Sequence, residues 1–203
     1  MEKTTDAYKT LVAPSLEVLL KEKKSRFFGQ AFPVQCEAEI KSVLEGLKTK
    51  HAQSNHICYA WQLGVERPSY RFNDDGEPNN SAGMPIYGQI QSFEITNVLI
   101  TVTRYFGGTK LGVGGLITAY RNAAKMALEA ATLTTKRMEE NLTLSFPYSE
   151  INTVMRIVKQ KTITIVDQKM ELDCLLEIKV AKNDVPQITK IFGSLRNLSI
   201  VKS

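Results

Sequence analysis

Apolar residues recur along this chain with two different periods. In Glu37–Lys50, Ile40, Val43, Leu44 and Leu47 fall at i, i+3, i+4 and i+7, the stripe of an amphipathic helix. The stretch Leu111–Leu133 repeats the pattern at greater length, with Leu116, Ala119, Ala123, Met126, Ala127 and Ala130 on its apolar face, and Met84–Phe93 reads as a third helix. Between these, short runs rich in β-branched and aromatic residues predict strands at Leu16–Leu20, Phe27–Val34, His56–Leu63, Ser69–Phe72 and Asn97–Phe106.

Thr132–Met138 ends the long helix and is the best candidate for a domain boundary, because the pattern beyond it becomes regular. A strand (Leu142–Phe146) precedes a helix bearing Ile151, Val154, Met155 and Val158. Two strands (Thr162–Val166 and Leu172–Val180) flank a turn at Asp167–Lys169. A helix then opens at Asp184, with Gln187 placed as in a capping box, and a strand at Leu198–Val201 closes the chain. This βαββαβ order is ferredoxin-like. The expectation is an α+β protein of two domains, residues 1–134 and 138–203.

Composition narrows the class. The chain has 203 residues, 43% hydrophobic and 23% charged, as in an ordinary globular protein. Its net charge of +5 is spread along the sequence with no polybasic arm, which permits a nucleic-acid partner without demanding one. Cys36, Cys58 and Cys174 are odd in number and far apart, so free thiols in a reducing compartment are expected. Met1–Lys9 lacks an apolar signal core and no long apolar run occurs, which predicts a cytoplasmic protein without a membrane partner.

Two glycine-punctuated segments carry the candidate chemistry. Phe72–Pro78, running on to Ala82–Pro85, gathers Asp74, Asp75 and Glu77 in a loop. These are possible Mg²⁺ ligands, or a turn whose carboxylates bond backbone N–H groups. Val102–Leu116 runs a strand into a loop with Gly107, Gly108, Gly112, Gly114 and Gly115, then into a helix. That layout can cradle an anion, although the spacing matches neither the P-loop nor the dinucleotide fingerprint. Arg104, Tyr105 and Lys110 flank this loop, and Lys24, Ser25 and Arg26 open a strand; all are candidate phosphate contacts. His56 and Cys58, two apart on a strand, share a face and are candidates to line a site.

Taken together, Lys24-Ser-Arg-Phe27, His56-x-Cys58-Tyr-Ala60, Phe72-x-Asp-Asp-Gly-Glu-Pro78, Ala82-Gly-x-Pro85, Arg104-Tyr-Phe-Gly-Gly108, Leu111-Gly-x-Gly-Gly-Leu116 and Ala119-Tyr120 resemble the YigZ/IMPACT family of translation-linked proteins. The one departure is Phe106, where the family pattern has Tyr. The resemblance implies an N-terminal fold like ribosomal-protein domain two, shared with domain IV of elongation factor G, and a C-terminal domain like domain V of that factor. It also implies a role facing RNA or the ribosome. With the cationic glycine loop, this leads to the expectation of a non-enzymatic protein of translational regulation, with RNA or the ribosome as partner and a protein partner also possible. No cofactor is expected, Mg²⁺ being conceivable at the acidic loop. The alternative is a nucleotide- and Mg²⁺-dependent enzyme, kinase-like or hydrolytic, using the glycine loop and the carboxylates of Asp74, Asp75 and Glu77.

Overall fold

The structure, a computed structural model, describes residues 6–202; the reading of the extreme N-terminus falls largely outside them. Contacts divide the chain into two units. One spans Tyr8–Lys136; the other joins Arg137–Ser203 to the residues before Tyr8. Both are mixed α+β. Among the described residues no helix is long and apolar enough to cross a membrane.

The larger unit is built on a five-stranded antiparallel sheet of β2 (Val18–Glu22), β3 (Ser25–Pro33), β6 (Val98–Tyr105), β4 (His56–Leu63) and β5 (Ser69–Asn73), in that spatial order. Side chains alternate across β6. Val98, Ile100 and Val102 meet Cys58 and Ala60 of β4 in a core closed by α2 (Gly83–Phe93) and α3 (Gly112–Glu129). Leu99 points the other way, with Val34 and Trp61, against Ile40 of α1 (Glu37–Lys50). Helices on both faces explain why β6 is buried at almost every position, its polar Thr101, Thr103 and Arg104 included.

Two strands lay outside the predicted set. β1 (Ala7–Leu11) and β7 (Leu133–Arg137) form a two-stranded ribbon. The amide of Val12 donates to Thr132 O (3.0 Å) and that of Met138 to Asp6 O (2.7 Å), so the pairing is antiparallel. The long helix therefore stops at Glu129, earlier than the apolar stripe suggested, and Leu133 belongs to a strand. The β-branched Thr132, Thr134 and Thr135 favour that outcome.

The smaller unit has β8 (Glu139–Pro147), α4 (Ile151–Gln160), β9 (Thr164–Lys169), β10 (Asp173–Ala181), α5 (Val185–Gly193) and β11 (Ser199–Lys202). Its sheet order, β11-β8-β10-β9, is that of a ferredoxin-like fold, with Phe146, Val154, Leu176 and Phe192 in its own core. Two local expectations change. Asp167–Lys169 is strand, and the reversal falls at Met170–Leu172. Asp184 makes no capping bond to α5. A short 3₁₀ turn precedes that helix, and the carboxylate pairs instead with Arg137 (3.2 Å). Arg137 also holds Asp6 (2.9 Å), and its hydrogen bond keeps the Asp6 carboxyl below the usual carboxylate range.

Candidate functional site: a buried arginine–glutamate pair beneath the glycine loop

Sheet register assembles the site. Arg104, near the end of β6, lies opposite Phe27 on one side and His56 on the other. By the twofold alternation of strands, Ser25, Phe27, His56, Cys58 and Arg104 therefore line up on the face that packs against α2 and α3. Arg26 and Tyr105 point to the opposite face. There the Arg26 guanidinium lies over the Tyr105 ring (5.0 Å to its centroid), and the Tyr105 hydroxyl meets His51 Nδ1 at 3.0 Å. The nucleic-acid contacts expected from sequence are thus divided between two faces.

The acidic loop is held from inside by its own carboxylates. Asp74 Oδ1 accepts from the amides of Ala82 (2.9 Å) and Gly83 (2.8 Å), and Oδ2 from Asn80 (2.9 Å). It thereby places a negative charge at the start of α2, a helix whose preceding Ala82 has no side chain to cap with. Asp75 accepts from the amide of Ile57 (2.6 Å). Facing them, the Nδ1–H of His56 donates to Asp75 O (2.7 Å), and the Cys58 thiol donates to Asp74 O (3.0 Å). Burial, together with the negative charges of Glu77, Asp75 and Asp74, pushes the Cys58 thiol far above its usual range, outweighing the nearby Tyr120 hydroxyl, which acts the other way. A nucleophilic role needs the opposite shift.

Glu77 leaves that loop and turns inward. Its Oε1 accepts from Arg104 Nη1 at 2.6 Å and from the Tyr120 hydroxyl at 2.7 Å, with His56 Nε2 3.9 Å away. Both members of the ion pair are more than nine-tenths buried. Arg104, expected as a phosphate contact, is thus committed to Glu77, and its Nη2 reaches Ser25 Oγ at 3.4 Å. Its guanidinium carbon sits 5.4 Å from the ring centroids of both Phe27 and Phe106. Its Nε is buried and has no hydrogen-bond partner among the described residues. The three acidic residues therefore serve different partners and do not converge. Among the described residues no three His, Cys, Asp or Glu side chains are grouped to hold a metal.

Tyr120 was not predicted as a site residue. The available signal was one bulky, polar-tipped residue on a helix face otherwise lined by Leu116, Ala119, Ala123 and Ala127. Asn55 was also missed; its Oδ1 accepts from the amide of Phe106 (2.7 Å) and anchors the start of the glycine loop.

Gly107 continues that loop, its amide donating to Ser25 Oγ (3.2 Å). A Cβ on Gly107 would lie 2.1 Å from the carbonyl carbon and oxygen of Lys24, so the absent side chain lets the loop rest on the β2–β3 turn. Gly108 follows in the left-handed region, Gly112 begins α3, and Gly114 and Gly115 lie in its first turn, which carries no acidic residue and no side-chain cap. Lys24, Phe106, Lys110 and Val113 are exposed at this end of the unit. Between loop and helix opens a cavity of about 310 Å³ walled by Pro78, Phe106, Leu111, Val113 and Leu116, with Arg104 and Glu77 at its base and Lys110 at its edge.

A family model described as the Impact N-terminal domain matches residues 23–128. Among curated proteins, the chain is similar to the IMPACT family member YigZ of Escherichia coli, at 29% identity over 93% of this chain and 96% of that one. It is 35% identical to an IMPACT family member of Thermus thermophilus over 68% of this chain and 74% of the relative. A crystal structure described as that of a hypothetical protein superposes with a TM-score of 0.73 at 27% identity, covering 96% of each chain. The Glu77–Arg104–Tyr120 cluster and both glycine-punctuated segments fall inside the matched domain, and the chain belongs to the IMPACT family.

Proposed function

We propose that this protein is a non-enzymatic, single-stranded RNA-binding component of translational regulation, acting on RNA or the ribosome, and that the glycine loop of its larger unit is the contact surface. The observation that carries the reading is the seating of Gly107 on the backbone of Lys24. It joins the lysine turn to the loop, so that cations (Lys23, Lys24, Lys110), an exposed aromatic ring (Phe106) and open backbone at Gly108, Gly112 and Gly114 occupy one end of the fold. Cations with an aromatic platform and little acidic charge are what a phosphate backbone with accessible bases requires. The resemblance to translation-linked proteins supplies the cellular setting.

The test is binding of short single-stranded RNA, and co-sedimentation with ribosomal subunits, across a salt series. In Lys24→Ala/Lys110→Ala the slope of log affinity against log salt should become shallower by about 1.4, the contribution of two single-strand phosphate contacts. Equal affinity and equal slope in the wild type and the double variant would overturn the assignment.

A further inference from the structure

The face of the sheet opposite the buried ion pair carries a second polar group at the same end of the larger unit. Register sets Lys21 of β2 beside Arg26 of β3, and Arg26 beside Tyr105 of β6, so the three form one row across the sheet. Lys21 and Arg26 are exposed, and neither side chain has a hydrogen bond or ion pair among the described residues. Like charges directly opposed on an antiparallel pair weaken it. Glu22, the next residue of β2, cannot relieve them, because strand alternation turns it to the other face.

Beneath the row, a chain of contacts fixes Arg26. Its guanidinium lies over the Tyr105 ring, 5.0 Å from the centroid. That ring meets Phe28 edge-on at 5.6 Å, and its hydroxyl bonds His51 Nδ1 at 3.0 Å. His51 is buried at the end of α1, and its Nε2 bonds Glu17 Oε2 (3.0 Å), which also accepts from Lys50 (2.7 Å). The carboxylate of this relay is thus shared by Lys50 and His51 and leaves Arg26 without a counter-charge. A guanidinium positioned by a ring, with its N–H groups open, loses little freedom when an acceptor arrives, and its planar fork matches a phosphate.

Continuity selects the acceptor. Arg26 follows the lysine turn by two residues, and Tyr105 immediately precedes Phe106, so the row begins where the glycine-loop surface ends. A polyanion that crosses the turn from that loop meets Lys21 and Arg26 next. We infer that these two cations hold a second stretch of phosphate backbone of the same single-stranded RNA, which bends over the β2–β3 turn onto the outer face of the sheet. Tyr105 is a positioning residue, and His51 and Glu17 act through it. This contact presupposes the RNA-binding reading above and adds to it a direction for the strand.

The experiment measures binding of the full chain to oligouridylates of increasing length across a salt series. In the wild type, the slope of log affinity against log salt should steepen by about 1.4 once the strand is long enough to pass the turn, the contribution of two further single-strand phosphate contacts. In Lys21→Ala/Arg26→Ala that step should vanish, while short strands bind as before. Arg26→Lys, which keeps the charge and gives up the fork, should retain the steeper slope. Tyr105→Leu should weaken only the long strands, and adding Arg26→Ala to it should cost less than Arg26→Ala does alone. A Tyr105 that served folding only would leave that cost unchanged. Lys21→Glu removes the opposed like charges, so it should raise the melting temperature while weakening the long strands. Equal slopes in the wild type and Lys21→Ala/Arg26→Ala at every length overturn the second contact and leave binding at the glycine loop intact. If no strand binds at low salt, the RNA-binding reading fails and the second contact with it.

Discussion

At the scale of single residues, the energetics centre on Glu77. Its carboxylate lies among Arg104, Tyr120 and His56 and is almost sealed from water. A buried ion pair owes little net stability to its charges, because desolvation offsets their attraction, but breaking one half strands the other. Glu77→Gln should therefore destabilise the protein by about 3–5 kcal/mol, measured by urea unfolding of the larger unit. Replacing both partners with apolar residues (Glu77→Leu with Arg104→Met) should recover much of that loss. If the double replacement costs as much as the sum of the singles, the pair is not acting as a unit. These residues were visible in the sequence, but their pairing was not. Glu77 and Arg104 are 27 positions apart, and each stands beside glycines that drew attention to phosphate chemistry. Only the opposition of Arg104 with Phe27 and His56 turns its side chain inward, and register of that kind leaves no local signature. The aspartates were easier to read. Asn-Asp-Asp-Gly is turn chemistry, and Asp74 and Asp75 do bond backbone amides.

At the scale of elements, the β2–β3 turn combines an awkward backbone shape with a pair of charges. Lys23 and Lys24 both have positive φ (43° and 69°), as a two-residue type I′ hairpin turn requires, although lysine is poorly suited to it. The double substitution Lys23→Asn with Lys24→Gly would relieve the left-handed strain and remove two cations in one step. The variant should gain roughly 1 kcal/mol in thermal unfolding while its RNA affinity falls and becomes less salt-dependent. Unchanged RNA binding would show that the lysines serve only the turn. Helices and central strands were legible throughout, because periodicity reports faces. The turn positions and the β1–β7 ribbon were not: five-residue strands with exposed, β-branched positions look like loops until a partner from across the sequence covers their backbone.

At the scale of the molecule, every residue assigned to the RNA surface lies in Tyr8–Lys136, which has its own sheet, helices and two hydrophobic clusters. The excised segment 8–136 should unfold in one cooperative transition and bind RNA as the full chain does. A folded fragment without affinity would assign part of the surface to the smaller unit. That smaller unit is interrupted in sequence, since Asp6 accepts hydrogen bonds from Arg137 and from the Asn183 amide. A fragment starting at residue 138 would lack those partners.

The antiparallel ribbon has one more consequence. With Asp6 bonded to Met138 and Val12 to Thr132, the register sets Tyr8 opposite Lys136, roughly 5 Å away across two strands. The first and last residues of the larger unit are therefore neighbours in space. A body whose two ends meet in this way can be sealed into a ring by a short linker, opened at a new surface loop, or grafted as a cassette into a host loop without stretching either chain.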